Sequence, residues 1–407
     1  MLPTKATKAM DVPKSKRLLE LPPFLFMETR RRIGEAQARG VDVISLGIGD
    51  PDGPTPVHIV DALARAATDP ANHKYPPGSS RGMTAFREAV AGWYDRRFGV
   101  QLDPGNEVLA LIGSKEANVH LALGLLNPGD LAIVPDPGYP AYESGAILAG
   151  AQTLRMPLRA QNGFLPVFDA MLSLDVSASK VVWLSYPNNP TTAVAPLAFF
   201  RRAVEFAHRH GVLLVNDNPY SEISFDGVRV PSILEVDGAK EVAIEFSSLS
   251  KTYSMAGWRL GMAAGNKSAL AAIRQVKENT DVGPFPAVQL AGVAALEGPQ
   301  TAVAQQNAVY QQRRDRVIET LRGIGLTADP PKATFYVWAK LPDNVRSTEF
   351  AAALLEATGV VVTPGIGYGS QGEGYIRISL ATPDDRLDEA MHRIKESAGR
   401  LPLQPVV

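Results

Sequence analysis

Short apolar runs alternate with amphipathic stretches along most of the chain. The candidate strands are VLALI (108–112), LAIVP (131–135), KVVWLSY (180–186), VLLVND (212–217), VAIEFS (242–247) and LGMAAG (260–265). Between them, SKEANVHLALGLL (114–126) and LAFFRRAVEFAHRHG (197–211) carry the three-to-four-residue apolar spacing of helices, and the second is closed by a glycine. Strands that are apolar on both faces and separated by helices predict an α/β fold. Its sheet is mostly parallel and covered by helices on both sides.

The texture changes after about residue 290. A long polar helix over 302–323 leads into ATFYVWAKL, a helix, GVVVTPG, YIRISLA and a last helix. This reads as a second, smaller α+β domain to which both chain ends contribute. The expected division is an N-terminal arm and part of the small domain over 1–49, a large domain over 50–298 and a small C-terminal domain over 299–407.

Composition narrows the functional classes. A length of 407 residues suits two domains, and 45% hydrophobic with 20% charged residues is an ordinary globular balance. With a formal net charge of −1, no global basic field argues for nucleic acid or membrane. The absence of cysteine excludes disulfides, thiolate catalysis and Cys-ligated zinc, and is compatible with a cytoplasmic location. No apolar stretch reaches the roughly 18 residues of a membrane span. The N-terminal segment has lysines but no apolar core, so it reads as an arm and not a secretory signal.

Ligands of open α/β sheets sit beyond the carboxyl ends of the strands. Several chemically distinctive residues follow the apolar runs. VLALI leads to Gly113-Ser114-Lys115 at a helix start, where free N–H groups and the helix dipole suit a phosphate. LAIVP leads to Tyr139, KVVWLSY to Asn189, VLLVND to Asp217 and Tyr220, and VAIEFS to Ser248 and Lys251. Turn preferences explain each residue singly but not the set. An anion cradle, an aromatic face, an amide, a carboxylate and a lysine together meet the needs of pyridoxal phosphate. The lysine forms a Schiff base with its aldehyde, the carboxylate keeps its ring nitrogen protonated, and the cradle takes the phosphate. Arg259 suits the same phosphate, and Arg377 in GYIRISL suits a bidentate grip on a substrate carboxylate.

Rival motifs fail. No GxxxxGK[ST] occurs, and the GxG pairs in LGIGDPDG and PGIGYG lack dinucleotide spacing. His208 and His210 fall on different helix faces, which suits helix-end cations better than a metal. The segment before residue 50 is too short and too weakly basic for a DNA-binding domain of a regulator.

LGIGDPD, GSKEA, PDPGYP, YPNNPT, SLSKTYSMAGWRLG and YVWAK resemble the fold-type I, class I/II aminotransferases over nearly the whole chain. They resemble most the bacterial group holding alanine (glutamate–pyruvate) transaminases and LL-diaminopimelate aminotransferases. The resemblance implies a seven-stranded, mostly parallel large-domain sheet and a homodimer with active sites at the subunit interface. It implies a ping-pong exchange between amino acids and 2-oxo acids. It makes Lys251 the Schiff-base lysine and proton shuttle, with Asp217 on the ring nitrogen, Tyr220 and Asn189 on the ring 3-oxygen, and Tyr139 stacked on the ring. Ser114, Lys115 through its backbone, Ser248 and Arg259 would line the phosphate site. Tyr75 would reach the phosphate of the neighbouring subunit. Arg377 would hold the substrate α-carboxylate, with Gly49 and Asn189 close by.

Substrate choice rests on fewer residues. Phe24 stands where diaminopimelate enzymes carry a tyrosine, and PPGSSRG and NTDVGPFPA depart from the expected segments. A distal ammonium and carboxylate need polar partners, so these departures favour the alanine/glutamate type, with LL-diaminopimelate as the alternative. A β-lyase would share the same cradle. Phe24, Ile48, Tyr139 and the Pro284–Pro286 segment are the candidates for side-chain selection.

Overall fold

The computed structural model describes residues 10–22, 25–75, 79–168 and 179–403. In chain order the strands are β1 (Ile44–Ser45), β2 (Val108–Leu111), β3 (Leu131–Asp136), β4 (Gln152–Pro157), β5 (Ser179–Leu184) and β6 (Leu213–Asp217). They continue as β7 (Ala243–Ser248), β8 (Gly261–Gly265), β9 (Tyr336–Lys340), β10 (Val360–Val361), β11 (Thr363–Pro364) and β12 (Tyr375–Ser379). Seven of them form one sheet in the order β2-β8-β7-β6-β5-β3-β4. β8 is antiparallel to both its neighbours and the other pairs are parallel. The mostly parallel α/β fold is as the alternation predicts.

Six of these strands are the predicted runs. The seventh, β4, is an edge strand reading QTLRMP in which Met156 is buried and its neighbours are partly or fully exposed. An edge strand with one dry position carries no apolar run to read. The central strands show why the others do. Val182 and Leu214 enter a core on one face, while Val181, Trp183 and Val215 enter a core on the other. Consecutive side chains point to opposite faces, so a doubly covered strand is apolar throughout. The helix Leu197–His210 packs Phe199, Phe200, Ala203 and Phe206 inward and stops at Gly211, whose φ of 65° supplies the left-handed cap.

A separate core surrounds the antiparallel sheet β11-β12-β9. β1 pairs in parallel with β10, Ile44 opposite Val360, so the segment before the large sheet is stitched to the chain's last third. GVVVTPG is two strands rather than one: β10 serves β1, and β11 serves β12. The 23-residue helix Thr301–Gly323 ties the halves together. Its buried Arg313 meets Asp52 at 2.9 Å and its buried Arg314 meets Asp226 at 2.7 Å. Among the described residues no helix is long and apolar enough to cross a membrane.

Candidate active site

The carboxyl edge of β5, β6 and β7 faces β12 of the second sheet across a cleft of about 330 Å3. Lys251 enters it from the single turn Leu249–Thr252 that follows β7. Its Nζ donates to the carbonyl of Gly49 at 2.6 Å. Desolvation in the cleft lowers its pKa, and the cations Arg377 and Arg259 act in the same direction, against Tyr336 and Asp50. The ammonium form is thus disfavoured where a neutral amine is useful.

Asp217 ends β6 and is 4% exposed. Its Oδ2 accepts from Tyr142 Oη at 3.0 Å and Asn118 Nδ2 at 3.2 Å. Its Oδ1 is buried with no partner among the described residues. Burial pushes this carboxyl up to about 6, and the hydrogen bonds from Tyr142 and Asn118, with the nearby Ser114, offset part of that. A buried carboxylate oxygen left open beside a cavity is a place for a cationic N–H. Trp183 Nε1 donates to Asn118 Oδ1 at 2.8 Å and so fixes which way that amide points.

The opposite end of the cleft suits an anion. Gly113, at φ 76°, turns the chain from β2 into the helix Ser114–Leu125, leaving first-turn N–H groups of Ser114 and Lys115 at the cavity. A Cβ on Gly113 would collide with the Arg259 guanidinium. Arg259 itself lies at φ 56°, an uncommon left-handed conformation, and donates to Ala256 O at 2.8 Å. Ser248 lines the same end, its hydroxyl accepting from Ser250 N at 3.3 Å.

Arg377 lies on β12 and is 2% exposed. It donates to Asn189 Oδ1 at 2.8 Å and Gly47 O at 2.7 Å, and its guanidinium stacks over Tyr336 at 4.0 Å and Tyr368 at 5.0 Å. No carboxylate pairs with it among the described residues. A buried cation without an anion costs several kcal/mol, so this site is built for an anionic ligand. The bond to Arg377 fixes the Asn189 amide and leaves its nitrogen as the donor open to a ligand.

Tyr220 is buried, its hydroxyl 3.1 Å from Tyr336 Oη. Burial first, then Tyr336, pushes its pKa up. Tyr139 lines the cleft edge-on to Tyr142, and burial together with Asp217 pushes its pKa up to about 12. Gly49 leaves room that a side chain would deny, because a Cβ there would collide with Tyr336 Oη. The cleft therefore brings together Lys251, Asp217, Tyr220, Ser114, Lys115, Tyr139, Asn189, Ser248, Arg259, Gly49 and Arg377. Tyr75 does not line it and is 80% exposed. Phe24 lies outside the described residues.

Sequence reasoning missed Asn118, Tyr142, Tyr336 and Gly47. Asn118 is four residues after Ser114 on one helix, hence on the same face, and that spacing could have flagged it. Tyr336 sits in a strand whose pattern reads as core, and nothing local marks it.

The sequence profile described as "Aminotransferase class I and II" matches residues 41–394, and the chain belongs to this family. It is 53% identical over 380 residues to an LL-diaminopimelate aminotransferase of Dehalococcoides mccartyi, covering 93% of this chain and 97% of that one. It is likewise 53% identical over 392 residues to an LL-diaminopimelate aminotransferase of Desulforudis audaxviator, covering 96% and 100%. Among solved structures, substrate-bound BacF of Bacillus subtilis superposes with a TM-score of 0.91 at 38% identity, covering 98% of this chain and all of that one. The protein is therefore a pyridoxal-phosphate-dependent aminotransferase.

The cleft fits that cofactor on its own terms. The unpartnered Asp217 Oδ1 suits a protonated ring nitrogen, and the Gly113–Ser114 turn with Arg259 suits a phosphate.

Proposed function

We propose that the chain is an LL-diaminopimelate aminotransferase, transferring an amino group between that diamino acid and a 2-oxo acid. The two relatives of that name, each 53% identical along nearly its full length, support this substrate over the alanine/glutamate type that the sequence departures favoured. Those departures concern a few positions, one of them Phe24, whereas the identity runs through the whole fold. Within the cleft, the observation that carries the transaminase reading is the buried, carboxylate-free Arg377 facing a desolvated lysine.

On this reading Arg377 and the Asn189 amide hold the α-carboxylate, which turns the substrate Cα–H toward Lys251 Nζ. Lys251, held neutral by desolvation, takes that proton and returns it on the other side of the exchange. When bound, pyridoxal phosphate supplies the aldehyde that accepts the amino group and the ring that takes up the electron pair. Asp217 would keep the ring nitrogen protonated, and Tyr220 and Asn189 would donate to the ring 3-oxygen. Tyr139 would cover one ring face, and Ser114, Lys115 N–H, Ser248 and Arg259 would hold the phosphate. The same residues serve both half-reactions, so the kinetics are ping-pong. We read the exposed Tyr75 as a phosphate ligand for a second copy of the chain, which makes the working form a homodimer.

The test is a single half-reaction followed in the visible spectrum. The yellow lysine-bound cofactor band should bleach with LL-diaminopimelate faster than with L-alanine or L-glutamate at equal concentration. Faster bleaching by alanine would return the assignment to the alanine type.

A further inference from the structure

We propose that Arg30 determines side-chain specificity by receiving a carboxylate carried at the end of an aliphatic substrate side chain. The proposal rests on the transaminase reading of this cleft and extends it to a wall that reading leaves unused. Three walls are already committed. Asp217 and Tyr220 face the ring, Ser114 and Arg259 face the phosphate, and Arg377 with Asn189 faces the α-carboxylate. The remaining wall is formed by Arg30, Ile33 and Ile48.

That wall is also the open one. Ile48 is 47% exposed and Arg30 is exposed, whereas Asp217 and Arg377 are buried. Arg30 and Ile33 belong to the helix Leu25–Ala38 and stand three residues apart, so one helix face presents both. The sequence TRRRIGEAQ places three arginines in a row, and their environments differ. Arg31 pairs with Glu35 on the same helix, whereas Arg30 makes no hydrogen bond or ion pair among the described residues. A substrate anchored at Arg377 with its amine toward Lys251 sends its side chain along Ile33 and Ile48, whose apolar surface suits methylenes. It arrives at a guanidinium with no anionic partner among the described residues.

The charge inventory sets the sign of the preferred terminus. Asp217 is the carboxylate among the residues lining the cleft, and it lies at the buried end. A terminal ammonium therefore meets no anion within the described wall, and a terminal carboxylate meets Arg30. For a substrate ending in both groups, the carboxylate makes the contact.

The test uses holoenzyme and compares Arg30→Gln and Arg30→Lys with wild type in single half-reactions. The substrates are L-2-aminoadipate (terminal carboxylate), L-norleucine (no terminal charge), L-lysine (terminal ammonium) and LL-diaminopimelate. The expected result is a fall of tenfold or more in the aminoadipate-to-norleucine preference for Arg30→Gln, with partial recovery in Arg30→Lys. The aminoadipate rate should also decline with added salt more steeply in wild type than in Arg30→Gln. An unaltered preference in Arg30→Gln, or a wild type that turns over neither carboxylate-ended substrate, would overturn the proposal. If wild type ignores LL-diaminopimelate but Arg30→Gln selectively loses aminoadipate, the diaminopimelate reading fails and the Arg30 assignment stands. If LL-diaminopimelate is a good substrate and Arg30→Gln leaves every preference intact, the reverse holds.

Discussion

Removing the cofactor should leave a pH-dependent defect traceable to one carboxylate. Asp217 is buried, one oxygen lacks a partner, and its pKa is raised from 3.8 to about 6. At about 1.4 kcal/mol per tenfold change, that displacement costs the folded cofactor-free protein about 3 kcal/mol once the group is ionised in both states. The sign follows from proton uptake. Between pH 6 and 4 the folded state holds this proton more tightly than the unfolded chain, so lowering the pH stabilises the fold. The gain is about 1 kcal/mol by pH 5 and approaches the full value only below pH 4. Asp217→Asn keeps an acceptor for Tyr142 and Asn118 and cannot ionise. The assay is urea unfolding of cofactor-free wild type and Asp217→Asn at pH 7 and pH 5, so that other titrating groups cancel in the comparison. Wild type should gain about 1 kcal/mol on the variant over that interval. Cofactor-loaded wild type should lose this gain, because a cationic partner at Oδ1 removes the penalty on the charged form. Parallel pH dependence of the two cofactor-free proteins would refute the claim that Asp217 is held under desolvation stress.

Other substitutions probe separate parts of the site. Lys251→Ala should abolish steady-state turnover and the lysine-bound cofactor absorbance while the protein stays folded, read by visible and far-UV spectra. Arg377→Lys loses the planar fork that meets Asn189 and a carboxylate together; we expect kcat/KM to fall about 100-fold, roughly 3 kcal/mol, for every amino-acid donor tested. Gly113→Ala forces a side chain onto a left-handed turn against Arg259, and should weaken cofactor retention on dialysis before it alters substrate preference. Glu245 is fully buried and accepts from Tyr94, Ser232, Asn216 and the Ile233 N–H; Glu245→Leu should cost roughly 3 kcal/mol in unfolding measurements by stranding four donors.

Legibility from sequence divides along a physical line. The large sheet is readable because double burial makes β5, β6 and β7 uniformly apolar, and the residues after them project into the cleft by geometry alone. Lys251, Asp217 and Asn189 were therefore findable as strand-end residues. β4 was not, because an edge strand need keep only one side chain dry. Tyr142 escaped because an aromatic at the start of a helix packing on the sheet reads as core. Its stacking on Trp183 is that of a core residue, while its hydroxyl bond to Asp217 is that of a site residue. Tyr336 was hidden for another reason: its partners Tyr220, Arg377 and Gly49 are far away in the chain, and no local spacing encodes contacts that only the tertiary fold brings together.

The same line explains why the reaction class was easier to read than the substrate. The reaction class requires several chemically distinct groups to converge, and a chance set of strand-end residues rarely supplies a lysine, a carboxylate, an aromatic and an anion cradle together. On the proposal above, substrate choice depends on the outer wall, where Arg30 and Ile33 of the helix Leu25–Ala38 line the cleft together with Ile48. A departure such as Phe24 removes one hydroxyl, a change of the order of 1 kcal/mol in a hydrogen bond. An arginine such as Arg30, without an anionic partner among the described residues, introduces a full charge. A full charge has larger leverage than one hydroxyl on which terminus binds, so on the proposal above the sign of the residue at position 30 is the better guide to the substrate.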